Sequence, residues 1–124
     1  MSPRASATQH ELARIGLLAE LPGEKLHGLA KRMVREEVAP GTTLVEEGAD
    51  GDRFYVLLAG MMSVAQADLG TRRVLRPGDY FGEVALAMRI PRTASVHAIT
   101  PCVVASCDRE TFDEFIRPLF ADDD

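Results

Sequence analysis

Apolar residues recur at helical spacing near both ends of the chain and at strand spacing between them. Thr8-Gln9-His10-Glu11 has the form of a capping box, in which a hydroxyl covers the amide three residues on and a carboxylate reaches back. Leu12 and Ile15 then open an apolar stripe. A second helix is expected from Pro22, a residue suited to a first helical turn. Its Leu26, Leu29, Ala30 and Met33 fall at i, i+3, i+4 and i+7 on one face. From about Glu36 to Cys107 short runs of Val, Leu, Phe, Tyr and Thr alternate with turn signals such as Pro40-Gly41, Gly60 and Pro77-Gly78-Asp79. Seven of the ten glycines lie between positions 41 and 82, where the chain must turn most sharply. The pattern predicts strands over 35–39, 42–46, 53–59, 61–67, 72–76, 79–82, 93–99 and 102–107. Such closely spaced strands with little helix between them point to a mainly β fold, a sandwich or jelly roll. Asp108 is a good N-cap for a last helix over 108–119, in which Phe112, Phe115, Ile116 and Leu119 keep helical spacing. Pro118 is expected to stop or kink that helix near Arg117.

Composition narrows the class. The 124 residues suit one domain, 1–124, with a helical segment over 8–33 and a β region over 35–107. No apolar run approaches the roughly 20 residues that cross a bilayer, and Met1-Ser-Pro-Arg lacks the apolar stretch of a secretory signal. A cytoplasmic location is expected, without membrane insertion. The formal net charge of −5 argues against a nucleic-acid partner, whose phosphates call for a basic surface. Asp122-Asp123-Asp124 reads as a frayed, solubilising tail. Cys102 and Cys107, five apart on one strand, point to opposite faces, which suits two reduced thiols better than a disulfide or a zinc pair. His10, His27 and His97 lack metal-ligand spacing, so neither a metal site nor a cupin-type enzyme is expected.

The segment from Phe81 to Val96 carries the chemistry. Gly82 removes a side chain where a ligand would approach closely, and Glu83 to Met88 are good helix formers apart from Val84. A short helix after a glycine offers free N–H groups to an anion. Arg92 adds a full charge and a planar fork that matches two phosphate oxygens, with Pro91 stiffening the backbone before it. A carboxylate at Glu83 would repel a phosphate set directly against it, so its task is to accept hydrogen bonds from a sugar hydroxyl. The bland alternatives are a surface ion pair for Arg92, a first-turn charge for Glu83 and a plain turn for Gly82.

Phe-Gly-Glu-Val-Ala-Leu, followed after Ala-Met-Arg-Ile by Pro-Arg-Thr-Ala-Ser-Val, resembles the phosphate-binding cassette of cyclic nucleotide-binding domains. Such domains occur in kinase regulatory subunits, nucleotide-gated channels and catabolite-activator-type regulators. The resemblance covers roughly residues 15–120. It implies N-terminal helices, an eight-stranded β-roll with the cassette at 81–96, and a C-terminal helix. It also implies that Glu83 binds the ribose 2′-hydroxyl, that Arg92 binds the cyclic phosphate, and that amides near Ala85 and Thr93 complete the phosphate site. Gly82, Glu83, Val84, Ala85, Arg92, Thr93 and Ala94 are the candidate ligand-binding residues. Thr93 follows the arginine, where the residue influences base choice; cAMP is favoured over cGMP, and no further cofactor is implied. The expected function is a regulatory sensor, not an enzyme, whose C-terminal helix relays binding to an output domain or partner protein. A phosphodiesterase would need a metal cluster or a nucleophile–base pair, and a transcription factor would need a helix-turn-helix beyond Phe120. In family relatives a further helix covers the base, for which Pro118 and the chain end leave little room. The alternative is the same fold serving as a protein-interaction module without nucleotide.

Overall fold

One strand buried on both faces sets the layers. In the computed structural model, which describes residues 6–120 (the backbone alone at Arg72), that strand is Arg53–Ala59. Phe54 and Val56 point into one core, Tyr55 and Leu57 into another. This is why its apolar run is continuous and not alternating. The strands in chain order are β1 (Val34–Val38), β2 (Thr43–Val45), β3 (Arg53–Ala59), β4 (Met62–Gln66), β5 (Gly70–Leu75), β6 (Tyr80–Phe81), β7 (Ser95–Ala98) and β8 (Cys102–Asp108). They form two four-stranded sheets, ordered β1-β8-β3-β6 and β2-β7-β4-β5, and every pairing is antiparallel. The eight expected strands are all present, so the mainly β roll with flanking helices is the fold.

The inner core fills the roll between the sheets with Val38, Val45, Leu57, Met62, Leu75, Phe81, Val96 and Val104. The outer core lies between the β1-β8-β3-β6 sheet and the helices, and includes Leu12, Ile15, Leu29, Met33, Phe54, Val56, Leu86, Phe112 and Ile116. Cys107 faces the outer core and Cys102 the inner one, both as free thiols, as the alternation required. Phe54 and Phe112 meet at 5.4 Å between ring centroids, which ties the sheet to the C-terminal helix.

Helix α1 (Gln9–Ala13) has both halves of the expected capping box, Glu11 N to Thr8 Oγ1 at 3.0 Å and Thr8 N to Glu11 Oε1 at 3.1 Å. Helix α2 (Gly23–Arg32) begins one residue later than expected: Pro22 is its N-cap, and its carbonyl accepts from Leu26 N. At the other end Met33 has left the helix, with φ −99° and ψ 135°, yet remains buried. Helix α3 (Glu83–Met88) bridges β6 and β7. Beyond β8 come α4 (Arg109–Thr111), a π-helical turn (Phe112–Ile116) and α5 (Arg117–Phe120). Of the stop or kink expected near Arg117, the stop is absent, and the departure from α geometry falls in the π turn directly before Arg117. Proline cannot donate an amide, and the wider π turn immediately before it changes which carbonyls seek partners, so the chain stays helical through Pro118. Among the described residues no helix is long and apolar enough to cross a membrane. The opening tetrapeptide and the acidic tail lie outside the described residues.

Candidate functional site

The cassette is held at both ends by backbone geometry. Phe81 closes β6 by pairing with Tyr55, and their rings stack at 5.0 Å. Gly82 then adopts φ +94°, a conformation costly for any residue with a Cβ. An added Cβ would lie 2.9 Å from Arg53 O and 3.0 Å from Arg92 Nη1, so the glycine leaves the arginine its place. Helix α3 follows, and no side chain caps its first amides. Ala85 and Leu86 are buried beneath it while Met88 and Arg89 face solvent.

Arg92 is the centre of the arrangement. Only 8% of its surface is exposed, and its guanidinium donates to Gly82 O at 3.1 Å and Arg53 O at 2.9 Å. Its backbone is tied to the β2–β3 loop through Arg92 N to Ala49 O and Gly48 N to Arg92 O. Those bonds explain why β7 begins at Ser95 and not at Thr93: the preceding backbone pairs with a loop instead of a sheet ladder. Gly51 in the same loop packs so closely on the guanidinium that a methyl there would overlap it. Burial lowers the pKa of Arg92, against the favourable fields of Tyr55 and Asp52. The cation is thus held by carbonyl dipoles, with no carboxylate among its hydrogen bonds, and part of its five-donor fork remains to be used. Arg92 is therefore buried and carbonyl-bound, not one half of a surface ion pair.

A cleft of about 180 Å³ opens beside it. All seven candidate residues, Gly82, Glu83, Val84, Ala85, Arg92, Thr93 and Ala94, line this one cleft. Glu83 is half-buried there and Thr93 exposed. The sequence reading missed the rest of the wall: Val45, Val64, Arg73, Tyr80, Phe81 and Val96. Val64 stands in register with Arg73 on one side and Val96 on the other, so the three form a row across the β2-β7-β4-β5 sheet. A signal existed for Arg73, which lies two residues before the buried Leu75 and so shares its inward face. A larger cleft of about 290 Å³ lies between α1 and the end of β3, where the Glu11–Arg35 ion pair at 3.0 Å consumes much of the charge. Size alone does not identify the site; the converging amides and the buried cation do. No group of three or more His, Cys, Asp or Glu among the described residues is placed to hold a metal.

The C-terminal helix reaches the cassette. Arg117 lies over the Phe112 ring and donates to the carbonyls of Leu86 and Ala87, each at 3.4 Å. Phe120 meets Tyr80, a cleft residue, edge to face at 5.7 Å.

Comparison with known proteins agrees with this geometry. A family model described as the cyclic nucleotide-binding domain matches residues 35–118. The chain is 35% identical over 109 residues to the cAMP-dependent protein kinase regulatory subunit of Yarrowia lipolytica, covering 87% of this chain and 29% of that protein. It is 36% identical over 110 residues to the cGMP-dependent protein kinase of Toxoplasma gondii, covering 87% of this chain and 11% of that one. Among solved structures it resembles cAMP-bound PfPKA-R with a TM-score of 0.85 and 27% identity, covering 90% of this chain and 39% of that chain. It also resembles the regulatory subunit of a cAMP-independent protein kinase A from Trypanosoma brucei in a triple-substituted form bound to cAMP, with a TM-score of 0.83 and 25% identity, covering 90% and 42%. The chain therefore spans less than half the length of each of these proteins.

Proposed function

Because this chain belongs to the cyclic nucleotide-binding domain family, we propose that it is a non-catalytic sensor module for a cyclic nucleotide, with Arg92 on the phosphate and Glu83 on the ribose 2′-hydroxyl. The observation that carries this reading is the buried, carbonyl-held guanidinium of Arg92 at a cleft whose lining includes all the cassette candidates. Gly82 allows close approach, and the amides around Ala85 and Thr93 supply neutral donors. A ligand phosphate would bring the hydrogen-bonded anionic partner that the buried cation lacks. The cleft is smaller than the roughly 300 Å³ of a pocket that encloses a whole small ligand, so the base is left near solvent unless something covers it. Phe120, which packs edge to face on the cleft residue Tyr80, could form part of such a cover.

Packing supports a relay through the C-terminal helix. Leu86 of α3 shares the outer core with Phe112 and Ile116, so tightening of the cassette around phosphate pulls on the C-terminal helix. A cytoplasmic module acting on an output domain or a partner protein fits this relay. One similar solved structure, from Trypanosoma brucei, is described as the regulatory subunit of a cAMP-independent protein kinase A. Its cAMP-bound form, however, carries substitutions that place an alanine seven residues before an arginine. Ala85 and Arg92 have that spacing here. The third substitution there puts alanine directly after the arginine, where this chain has Thr93.

Cyclic AMP is the first reading for the base, in line with the yeast relative and PfPKA-R. Arg73 favours a second. Arg73 lines the cleft, and its guanidinium would suit the O6 and N7 acceptors of guanine and oppose the amino group of adenine. Calorimetric titration with both cyclic nucleotides tests the proposal. Arg92→Ala is expected to weaken binding by about 1.5–3 kcal/mol, the cost of losing hydrogen bonds to a charged group. Arg73→Ala should weaken cGMP more than cAMP if the second reading holds. No heat with either nucleotide at millimolar concentration, in folded protein, would refute the sensor and leave the interaction module.

A further inference from the structure

Arg109 breaks a local rule. It occupies the first position of α4, directly after the Asp108 cap, where the helix dipole disfavours a cation. Its side chain is half-buried and turned away from its own helix. One prong, Nη1, donates to Leu86 O in the last turn of α3 at 3.1 Å, and the other, Nη2, donates to Gly51 O at 3.1 Å. Three segments distant in sequence are therefore fixed by one planar group: the cassette helix, the β2–β3 loop and the start of the C-terminal helix. Gly51 is the informative partner. Its carbonyl is held by Arg109, and its Cα lies against the guanidinium of Arg92 with no room for a side chain. Residues 48 and 49 of the same loop also grip the Arg92 backbone.

We infer that Arg109 is a positioning residue for the anion site: its forked hydrogen bond sets Gly51, and Gly51 sets the plane in which Arg92 meets a phosphate. Arg109 is not among the residues that line the cleft. The consequence is two-way. Moving the C-terminal helix withdraws Arg109 and loosens the phosphate site, and filling that site tightens the helix start by the same coupling. This rests on the reading of Arg92 as the phosphate ligand.

A second explanation must be separated from positioning, because Arg109 is also a cation near Arg92 whose field alone would attract an anion. Lysine keeps the charge and loses the planar fork. The test compares Arg109→Ala, Arg109→Lys and, as a control for general loosening of this helix, Arg32→Ala, which removes the 2.7 Å bridge to Glu114. Affinity for cAMP and cGMP is measured by calorimetry. The Nε–H signal of Arg92 is followed by NMR in nucleotide-free protein. Positioning predicts that both Arg109 variants lose about tenfold in affinity, within the usual range of coupling between linked groups, and that both shift the Arg92 signal. Arg32→Ala should leave both readouts unchanged. Wild-type affinity in Arg109→Lys would assign the effect to charge and overturn the inference, as would unchanged affinity in folded Arg109→Ala. If the alanine variant does not fold, the lysine variant decides. If the wild-type protein binds neither nucleotide, the sensor reading fails separately. An Arg92 signal unmoved by Arg109→Lys would then overturn this inference on its own.

Discussion

Replacing Gly82 by alanine separates two costs that the cassette combines. The first is conformational: φ of +94° places an L-residue in left-handed territory, at about 1–2 kcal/mol. The second is crowding, since the new Cβ would sit 2.9 Å from Arg53 O and 3.0 Å from Arg92 Nη1. The Arg53 oxygen belongs to the backbone of β3 and cannot yield cheaply, which adds strain of its own, and the guanidinium must shift as well. Its bond to Gly82 O then goes, at about 1.5–3 kcal/mol for a charged donor. Gly41→Ala supplies the comparison, because Gly41 has φ +84° and nothing within 4 Å of the added carbon. It incurs the conformational cost alone. Urea denaturation followed by circular dichroism should find Gly82→Ala less stable than Gly41→Ala by about 1.5–3 kcal/mol. That difference corresponds to roughly 5–15 °C in melting temperature for a domain of this size. Equal losses in the two variants would refute the claim that Gly82 is there to leave room for Arg92.

Two further outcomes follow from buried and capping groups. Cys107 lies in the outer core, and burial pushes its thiol up to about 12, so neither it nor buried Cys102 should react with a thiol reagent at pH 8 in folded protein. Modification at the rate of an exposed cysteine would contradict that placement. Asp108 is held below its ordinary 3.8, first by the Thr111 amide it accepts at 2.9 Å. A lowered folded-state pKa contributes stability that is present above the unfolded value and lost as pH falls through the folded one. Wild-type protein should therefore lose stability below about pH 4 more steeply than Asp108→Asn, measured as urea midpoints from pH 7 downward. Parallel curves would rule out the cap as a titrating element.

The parts legible in the sequence are those where one physical requirement chooses one residue type. The Thr8–Glu11 box, the Asp108 cap, the glycines at turns and the alternating faces of Cys102 and Cys107 are local constraints, and each appears where its residues stand. The cassette was legible for the same reason, since Gly82, Glu83 and Arg92 fall within one short segment. What escaped was assembled across the fold. Arg73 enters the cleft through the β4–β5 register, and Arg53 contributes a backbone oxygen, which no side-chain pattern encodes. The passage of the helix through Pro118 escaped as well, because it depends on a π turn stabilised by the packing of Phe112 and Ile116.

Burial of Arg92 also decides how binding should respond to salt. An exposed cation is already solvated and screened, so pairing it gains little, and that little fades as ionic strength rises. Arg92 has given up most of its water for two carbonyl oxygens. An arriving phosphate meets a charge that is neither solvated nor screened, and the pair is strengthened accordingly. Arg73 and Arg89 are exposed and should contribute only the screened part. If Arg92 supplies most of the phosphate affinity, raising salt from about 0.05 to 0.5 M should weaken cyclic nucleotide binding by less than roughly threefold, because a buried pair is screened far less than an exposed one. The matching nucleosides, which carry no phosphate, should bind far more weakly at both concentrations. A tenfold or greater loss across that range, measured by calorimetry, would place the phosphate among the exposed arginines and take Arg92 out of its role.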